Sequence, residues 1–304
     1  MKHTRIISLF AMLLFFSLAF IACEDNTTNP EPSIPKPMPV EKLEASSVDS
    51  TTVLITWEHS KSKDSSMFDA YYVTVTPGNH IFKVPLPNNT ITISGLTEGT
   101  EYTFSVVAKF TTPDSSTAET IVWSPASRFD DVVNGVKMYE SASELGSGLK
   151  IFDVAEWGPK NIKISNNKAE CNIALFTEEI DGVTNIQFGS ANALYLAQGD
   201  VTNNAEFVEE PTQGTSIESY TNAKPLDQEY GVFSSKYYDF SEYTFEAGMN
   251  PIFICRVKNG TDYNYARIMM KRGENGQFLQ GVSPNRYVEL VISYQKVANK
   301  PYAK

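Results

Sequence analysis

Leu96-Thr97-Glu98-Gly99-Thr100-Glu101-Tyr102-Thr103-Phe104-Ser105-Val106-Val107-Ala108 is the stretch that decides the fold of the first third of the chain. A glycine-bearing turn delivers a tyrosine into a run of aromatic and β-branched residues, the composition of a strand. The same unit recurs upstream. Thr90-Ile91-Thr92-Ile93-Ser94 is one such run, and Tyr71-Tyr72-Val73-Thr74-Val75-Thr76 is another, ended by Pro77-Gly78. Thr51-Thr52-Val53-Leu54-Ile55-Thr56-Trp57 alternates Val53, Ile55 and Trp57 against Thr52, Leu54 and Thr56. Short strands at this spacing predict an antiparallel sandwich of about 90 residues.

These residues resemble the fibronectin type III family over residues 40–128. Trp57 closes the second strand, where that family places its core tryptophan. Leu96 through Tyr102 is similar to the family's E–F connection, and Trp123-Ser124-Pro125 resembles the end of its last strand. The resemblance implies a tyrosine corner, with the Tyr102 hydroxyl bonded to upstream backbone. It implies a spacer or binding module and names no ligand.

Ahead of the sandwich, residues 1–22 read as a secretory signal. Lys2 and Arg5 precede an apolar run from Leu9 to Ala22 broken only by Ser17. Leu18-Ala19-Phe20-Ile21-Ala22-Cys23 resembles the lipobox of bacterial lipoproteins, with Phe20 where leucine is usual. That resemblance implies diacylation of Cys23, attachment to the membrane through that lipid, and removal of the signal. The acidic pair Glu24-Asp25 resembles the export signal of Bacteroides-like lipoproteins and implies display on the outer membrane, facing the exterior. Prolines 30, 32, 35, 37 and 39 make residues 23–39 a stalk, extended at about 3.1 Å per residue.

Of the 304 residues, 41% are hydrophobic and 20% charged, the composition of a globular protein. The whole chain carries a net charge of −11; losing Lys2 and Arg5 with the leader leaves 23 basic against 36 acidic residues, a net −13. That balance disfavours nucleic acid, which calls for basic patches.

Residues 129–304 predict a second, predominantly β domain, so the fold class is mostly β throughout. Leu149–Phe152, Asn161–Ser165 and Glu170–Phe176 look like strands. Pro251–Lys258 and Tyr263–Arg272 form two more, joined through Asn259-Gly260, a hairpin signal. Tyr287–Gln295 alternates, predicting one core face and one wet face holding Glu289, Ser293 and Gln295. Residues 199–229 are polar and predict long loops.

Catalytic and metal chemistry find little support. His59 and His80 are the histidines left after the leader, and neither lies in 129–304. No phosphate loop, nucleophile elbow or zinc-ligand spacing appears, so no cofactor and no metal is expected. Glu178-Glu179 and Glu209-Glu210 are visible carboxylate pairs, but neighbours on a strand point to opposite faces. Cys171 is expected to share a face with Ile173 and Leu175, and Cys255 with Phe253 and Val257. In an exported chain the two could pair or remain buried thiols.

Tyr220, Tyr230, Tyr237, Tyr238 and Tyr243 crowd one polar segment with Phe233, Phe240 and Phe245. Rings with polar tips stack on sugars or fill protein interfaces, and Tyr237, Tyr238 and Tyr243 are the expected binding residues. Ile252 to Gly260 followed by Tyr265-Ala266-Arg267-Ile268 resembles a hairpin of haem-scavenging HmuY-like surface lipoproteins. Arg267 stands where lysine is usual there, and the haem-binding histidines of that family are missing. The reading is a lipid-anchored envelope protein that binds a glycan or protein ligand, in an adhesive or structural role, with the first domain as spacer. The alternative is a carbohydrate-active enzyme or its accessory carbohydrate-binding module, and a third reading is a haem-scavenging lipoprotein.

Overall fold

Strands β1 (Glu41–Asp49), β2 (Thr52–Glu58), β3 (Phe68–Thr76), β4 (His80–Val84), β5 (Thr90–Ile93), β6 (Tyr102–Phe110) and β7 (Glu119–Trp123) build the first sandwich. One antiparallel sheet runs β1-β2-β5 and the other β4-β3-β6-β7. Alternation sets the core, as the sequence predicts. Val53, Ile55 and Trp57 of β2 face Tyr71, Val73 and Val75 of β3 and Phe104, Val106 and Ala108 of β6 in one buried cluster. Trp57 meets Tyr71 edge-on at 5.3 Å, a favoured aromatic geometry.

The computed structural model describes residues 36–129, 136–195, 205–218 and 220–303. The predicted signal, Cys23 and the stalk up to residue 35 lie outside the described residues. Among those described, no helix is long and apolar enough to cross a membrane.

Beyond the first sandwich come β8 (Ser127–Phe129), β9 (Val136–Tyr139), β10 (Gly148–Asp153), β11 (Gly158–Ile162), helix α1 (Ile164–Asn167), β12 (Ile173–Ile180), β13 (Val183–Ser190) and α2 (Ala191–Leu194). Then follow β14 (Ala205–Phe207), β15 (Thr212–Gly214), α3 (Leu226–Glu229), β16 (Tyr237–Asp239), β17 (Asn250–Asn259), β18 (Asp262–Lys271) and β19 (Tyr287–Tyr294). One sheet runs β11-β10-β12-β13-β16; the larger runs β14-β17-β18-β19-β8, with β15 on β17 and β9 on β19. Leu149, Ile173, Phe188 and Tyr238 of the smaller sheet pack on Phe253, Ile268, Met270 and Leu290 of the larger. This is a second sandwich, and the whole chain is mostly β.

The Asn259-Gly260 signal holds. Asn259 pairs with Asp262, leaving Gly260-Thr261 as the turn, and Gly260 has φ of 65°, a conformation glycine adopts at no steric cost. Three local expectations need correction. Asn161–Ser165 is not one strand, because the chain leaves β11 at Ile162 and turns into α1 at Ile164. Within 199–229, the described residues include β14, β15 and α3 rather than loop alone. The supposed wet face of β19 is covered: Ser293 and Gln295 are fully buried. Val208, Ile217, Leu226 and Ala303 pack over Ile254, Met269 and Val291 on that side of the larger sheet. Alternation reports one apolar face reliably; it cannot report that a second layer hides the polar one.

Candidate functional site

The β12–β13 hairpin supplies the first wall of an open groove. Ile180 pairs with Val183, and the turn residues Asp181 and Gly182 have φ of 52° and 79°, the double left-handed geometry of a type I′ turn. The second wall is the segment after β16, and Asp239 holds it. Its carboxylate accepts from Asn185 Nδ2 at 3.0 Å, Gln187 Nε2 at 2.8 Å, and Ser241 N and Oγ at 3.0 and 2.6 Å. Burial pushes the Asp239 pKa up, but the bonds from Ser241, Gln187 and Asn185 outweigh it and hold the group below its ordinary value. The segment so fixed carries Phe240, Tyr243 and Phe245. Tyr243 and Phe245 stack at 6.2 Å, while Phe240 and Phe245 both meet Phe278 edge-on, at 5.4 and 5.9 Å.

The third wall lies between β18 and β19. Arg272 sets its guanidinium 4.1 Å from the Phe278 ring centre and donates from Nε to Met249 O and from Nη1 to Gly276 O, both at 2.9 Å. The groove has a volume of about 850 Å³. Its described lining includes Thr184, Asn185, Thr244 and Gln277 among the rings, and no Asp, Glu, His or Cys.

Arg286 marks the rim. Its Nη2 donates to Glu140 Oε2 at 2.7 Å and to Glu179 Oε1 at 2.9 Å, and its Nη1 donates to Thr184 Oγ1 at 2.8 Å. A smaller cleft of about 320 Å³ opens there beside Glu178 and Ser283. Two carboxylates therefore do converge, though not the adjacent pairs visible in sequence. Burial pushes Glu140 up, yet its bonds to Arg286 prevail and keep it below the ordinary 4.5. Glu179 is also held down, by Thr184 first and Arg286 second. Neither group is a proton donor near neutral pH, whereas glycoside hydrolysis by two carboxylates needs one raised acid.

The three expected tyrosines part company. Tyr243 lines the groove. Tyr238 is fully buried, its hydroxyl donating to Val208 O at 2.6 Å, so it is a core residue and not a ligand contact. Tyr237, on the opposite face of β16, is 42% exposed. Cys171 and Cys255 are both buried and unbridged. Cys255 lies with Phe253 and Val257 as expected, but Cys171 packs with Ala174 and Tyr195 in a satellite cluster, away from Ile173 and Leu175. The two thiols occupy different clusters, so the possible disulfide is not formed. Burial pushes the Cys171 thiol up to about 12, and Cys255 is raised by the same cause. Arg267, singled out in the haem-like hairpin, is fully buried and bonded to Tyr220 O and Asn222 Oδ1. Sequence reading missed Arg272, Phe278 and Arg286. The available signal was an arginine followed by a Gly273–Gly276 turn just beyond a strongly patterned strand.

In the first sandwich, Thr97 N donates to the Tyr102 hydroxyl at 3.1 Å, so the tyrosine corner is formed. Residues 38–122 match the family of fibronectin type III domains. This part of the chain is a fibronectin type III domain.

Solved structures similar to part of the chain include a myokine structure (14% identity, 29% of this chain, 98% of that one, TM-score 0.25). Another is a computer-based redesign of a β-sandwich protein (17%, 30%, 91%, 0.26). A third is the fn3 domain of human collagen alpha-1(XX) chain (18%, 32%, 93%, 0.26). No curated protein matches the chain.

The fibronectin type III domain is tied to the second sandwich by specific contacts. Glu98, in the E–F connection, accepts from Ser127 N and Oγ at 3.0 Å and pairs with Lys296 at 3.1 Å. Tyr302 enters the domain's core, edge-on to Trp123 at 5.3 Å, with its hydroxyl donating to Glu101 at 3.0 Å. Ala45 and Asn222 exchange backbone bonds of 2.9 and 3.0 Å. Residues 36–304 form one compact unit.

Proposed function

We propose that this is a lipid-anchored envelope protein of the cell exterior that binds saccharides in the groove of its second sandwich, with the fibronectin type III domain as a spacer. One observation carries the binding reading: aromatic rings and neutral polar side chains converge on an open groove with no carboxylate among its described lining residues. Rings give sugars an apolar face to stack on, and hydroxyl and amide groups orient the substituents. A hydrolytic site would instead need two carboxylates facing the bound sugar with one kept protonated. The rim pair Glu140 and Glu179 is committed to Arg286 and ionised, which favours binding over catalysis. Arg267 serves the core, so it lends no support to haem capture.

The test is retention on a glycan array by the full-length protein in detergent. Tyr243→Ala and Phe245→Ala should each lower retention at least tenfold with the fold intact by circular dichroism. Unchanged retention in both variants would refute the groove. Anchoring is tested separately: Cys23→Ser should abolish palmitate labelling and shift the protein out of the membrane fraction or leave it as precursor. Labelling equal to that of the wild type would show that Cys23 is not the anchor.

A further inference from the structure

The ionisable lining of the groove is one-sided. Arg272 and Arg286 line it, and among the described residues that do so there is no carboxylate. Arg286 is already neutralised by Glu140 and Glu179. Arg272 is in a different position. The two hydrogen bonds of its guanidinium end on the backbone carbonyls of Met249 and Gly276, and no ion pair joins it to a carboxylate among the described residues. A guanidinium has five N–H donors, so three remain. Carbonyl dipoles hold the group in place without cancelling its charge. The Phe278 ring on one side fixes its plane further.

From this we infer that the groove takes an acidic saccharide, one whose sugar ring bears a carboxylate, and that Arg272 is the residue that reads the acid. The inference rests on the saccharide-binding reading and narrows it. Arginine is suited to the task because its fork meets both oxygens of a planar carboxylate. The Tyr243 wall of the groove sets the orientation. Burial and the neighbouring Glu210 and Glu242 push the Tyr243 hydroxyl pKa up, so negative charge already gathers there. The carboxylate of the ligand therefore belongs at Arg272, and its uncharged rings belong on Tyr243 and Phe245. The chain's net charge of −11 opposes an anion at long range. At physiological salt that field is screened within about 8 Å, so the local contact decides.

An acidic peptide fits less well. Peptides that bind sheets add a strand to a free edge. Here β16 covers β13 only at Gln187–Gly189, and the Phe240 N to Ile186 O bond closes the next position. Only the short stretch Val183–Asn185 of that edge is left, too little for a stable added strand.

Calorimetric titration of the full-length protein in detergent decides the matter, using a uronic-acid oligosaccharide and the same oligosaccharide with its carboxylates reduced to alcohols. The acid form should bind about tenfold or more tightly at physiological salt, the worth of a charge-assisted hydrogen bond. The preference should fall to within about threefold in Arg272→Gln. It should fall likewise in Thr244→Asp, which puts a carboxylate into the groove at an exposed position and so tests the idea even if the arginine variant misfolds. A wild-type protein that binds both sugars equally, with binding lost in Tyr243→Ala, overturns the acid preference and leaves the groove standing. Binding of neither sugar, or binding unaffected by Tyr243→Ala, overturns both. A preference that survives in both charge variants, or capture of an acidic peptide in place of the sugars, also overturns the inference.

Discussion

Tyr102 works through two separate parts of one side chain. Its ring is buried with Leu96 and Phe104, and its hydroxyl takes the Thr97 amide. Tyr102→Phe keeps the first and removes the second, so it should cost about 1 kcal/mol in urea denaturation. Trp57→Ala removes a whole buried ring and should cost about 3–5 kcal/mol. Arg267 tests a different balance. Burial pushes its pKa down to about 10, so it is still charged at neutral pH, yet among the described residues it meets a carbonyl, an amide oxygen and the Tyr220 ring but pairs with no carboxylate. Arg267→Ala would strip Tyr220 O and Asn222 Oδ1 of their donor and leave a cavity. A loss of about 3 kcal/mol or more is expected in the same assay. A neutral result would mean that water replaces the guanidinium without penalty.

At the scale of elements, the groove depends on how closely β16 lies against β13. A Cβ on Gly189 would come within 2.4 Å of Tyr237 Cα and 2.5 Å of Lys236 O, both of them backbone atoms. Gly189→Ala should therefore push β16 away, lower the melting temperature, and weaken binding through the displaced Phe240, Tyr243 and Phe245. Melting and titration of the same variant would check this. The strands whose register is set by alternation, β2 and the β17–β18 hairpin, were legible from the residues alone. The corner at Tyr102 came through the fibronectin type III resemblance, which was visible because turn and strand adjoin in the sequence. The groove was not legible. Its walls come from residues near 183, 243 and 278, and nothing local brings those three together. Tyr238 misled for a related reason: β16 is three residues long, too short to show which of its tyrosines faces inward.

On the scale of the molecule, acid should reveal which charges matter. Glu140, Glu179 and Asp239 all have folded pKa values below their ordinary ones. Their contribution is present above those ordinary values and is lost as pH falls through the depressed ones. Melting temperature should therefore be flat from neutral pH to about 4.5 and then fall, with Glu140→Gln flattening the drop. The junction predicts a second behaviour. Glu98 and Tyr302 bind the two sandwiches together, so calorimetry should show one transition in the wild type. Glu98→Ala combined with Tyr302→Ala should split it in two; a single unchanged transition would show that the junction carries little of the cooperativity. That same tyrosine has a consequence for biosynthesis. Trp123 leaves the ribosome long before Tyr302 does, so the first sandwich waits, with one flank of its core uncapped, until Tyr302 has been made and delivered. Any interruption of synthesis before that point leaves an exposed tryptophan edge for proteases and chaperones to find. The bond between Tyr302 and Glu101 thus doubles as a sign that synthesis has passed residue 302.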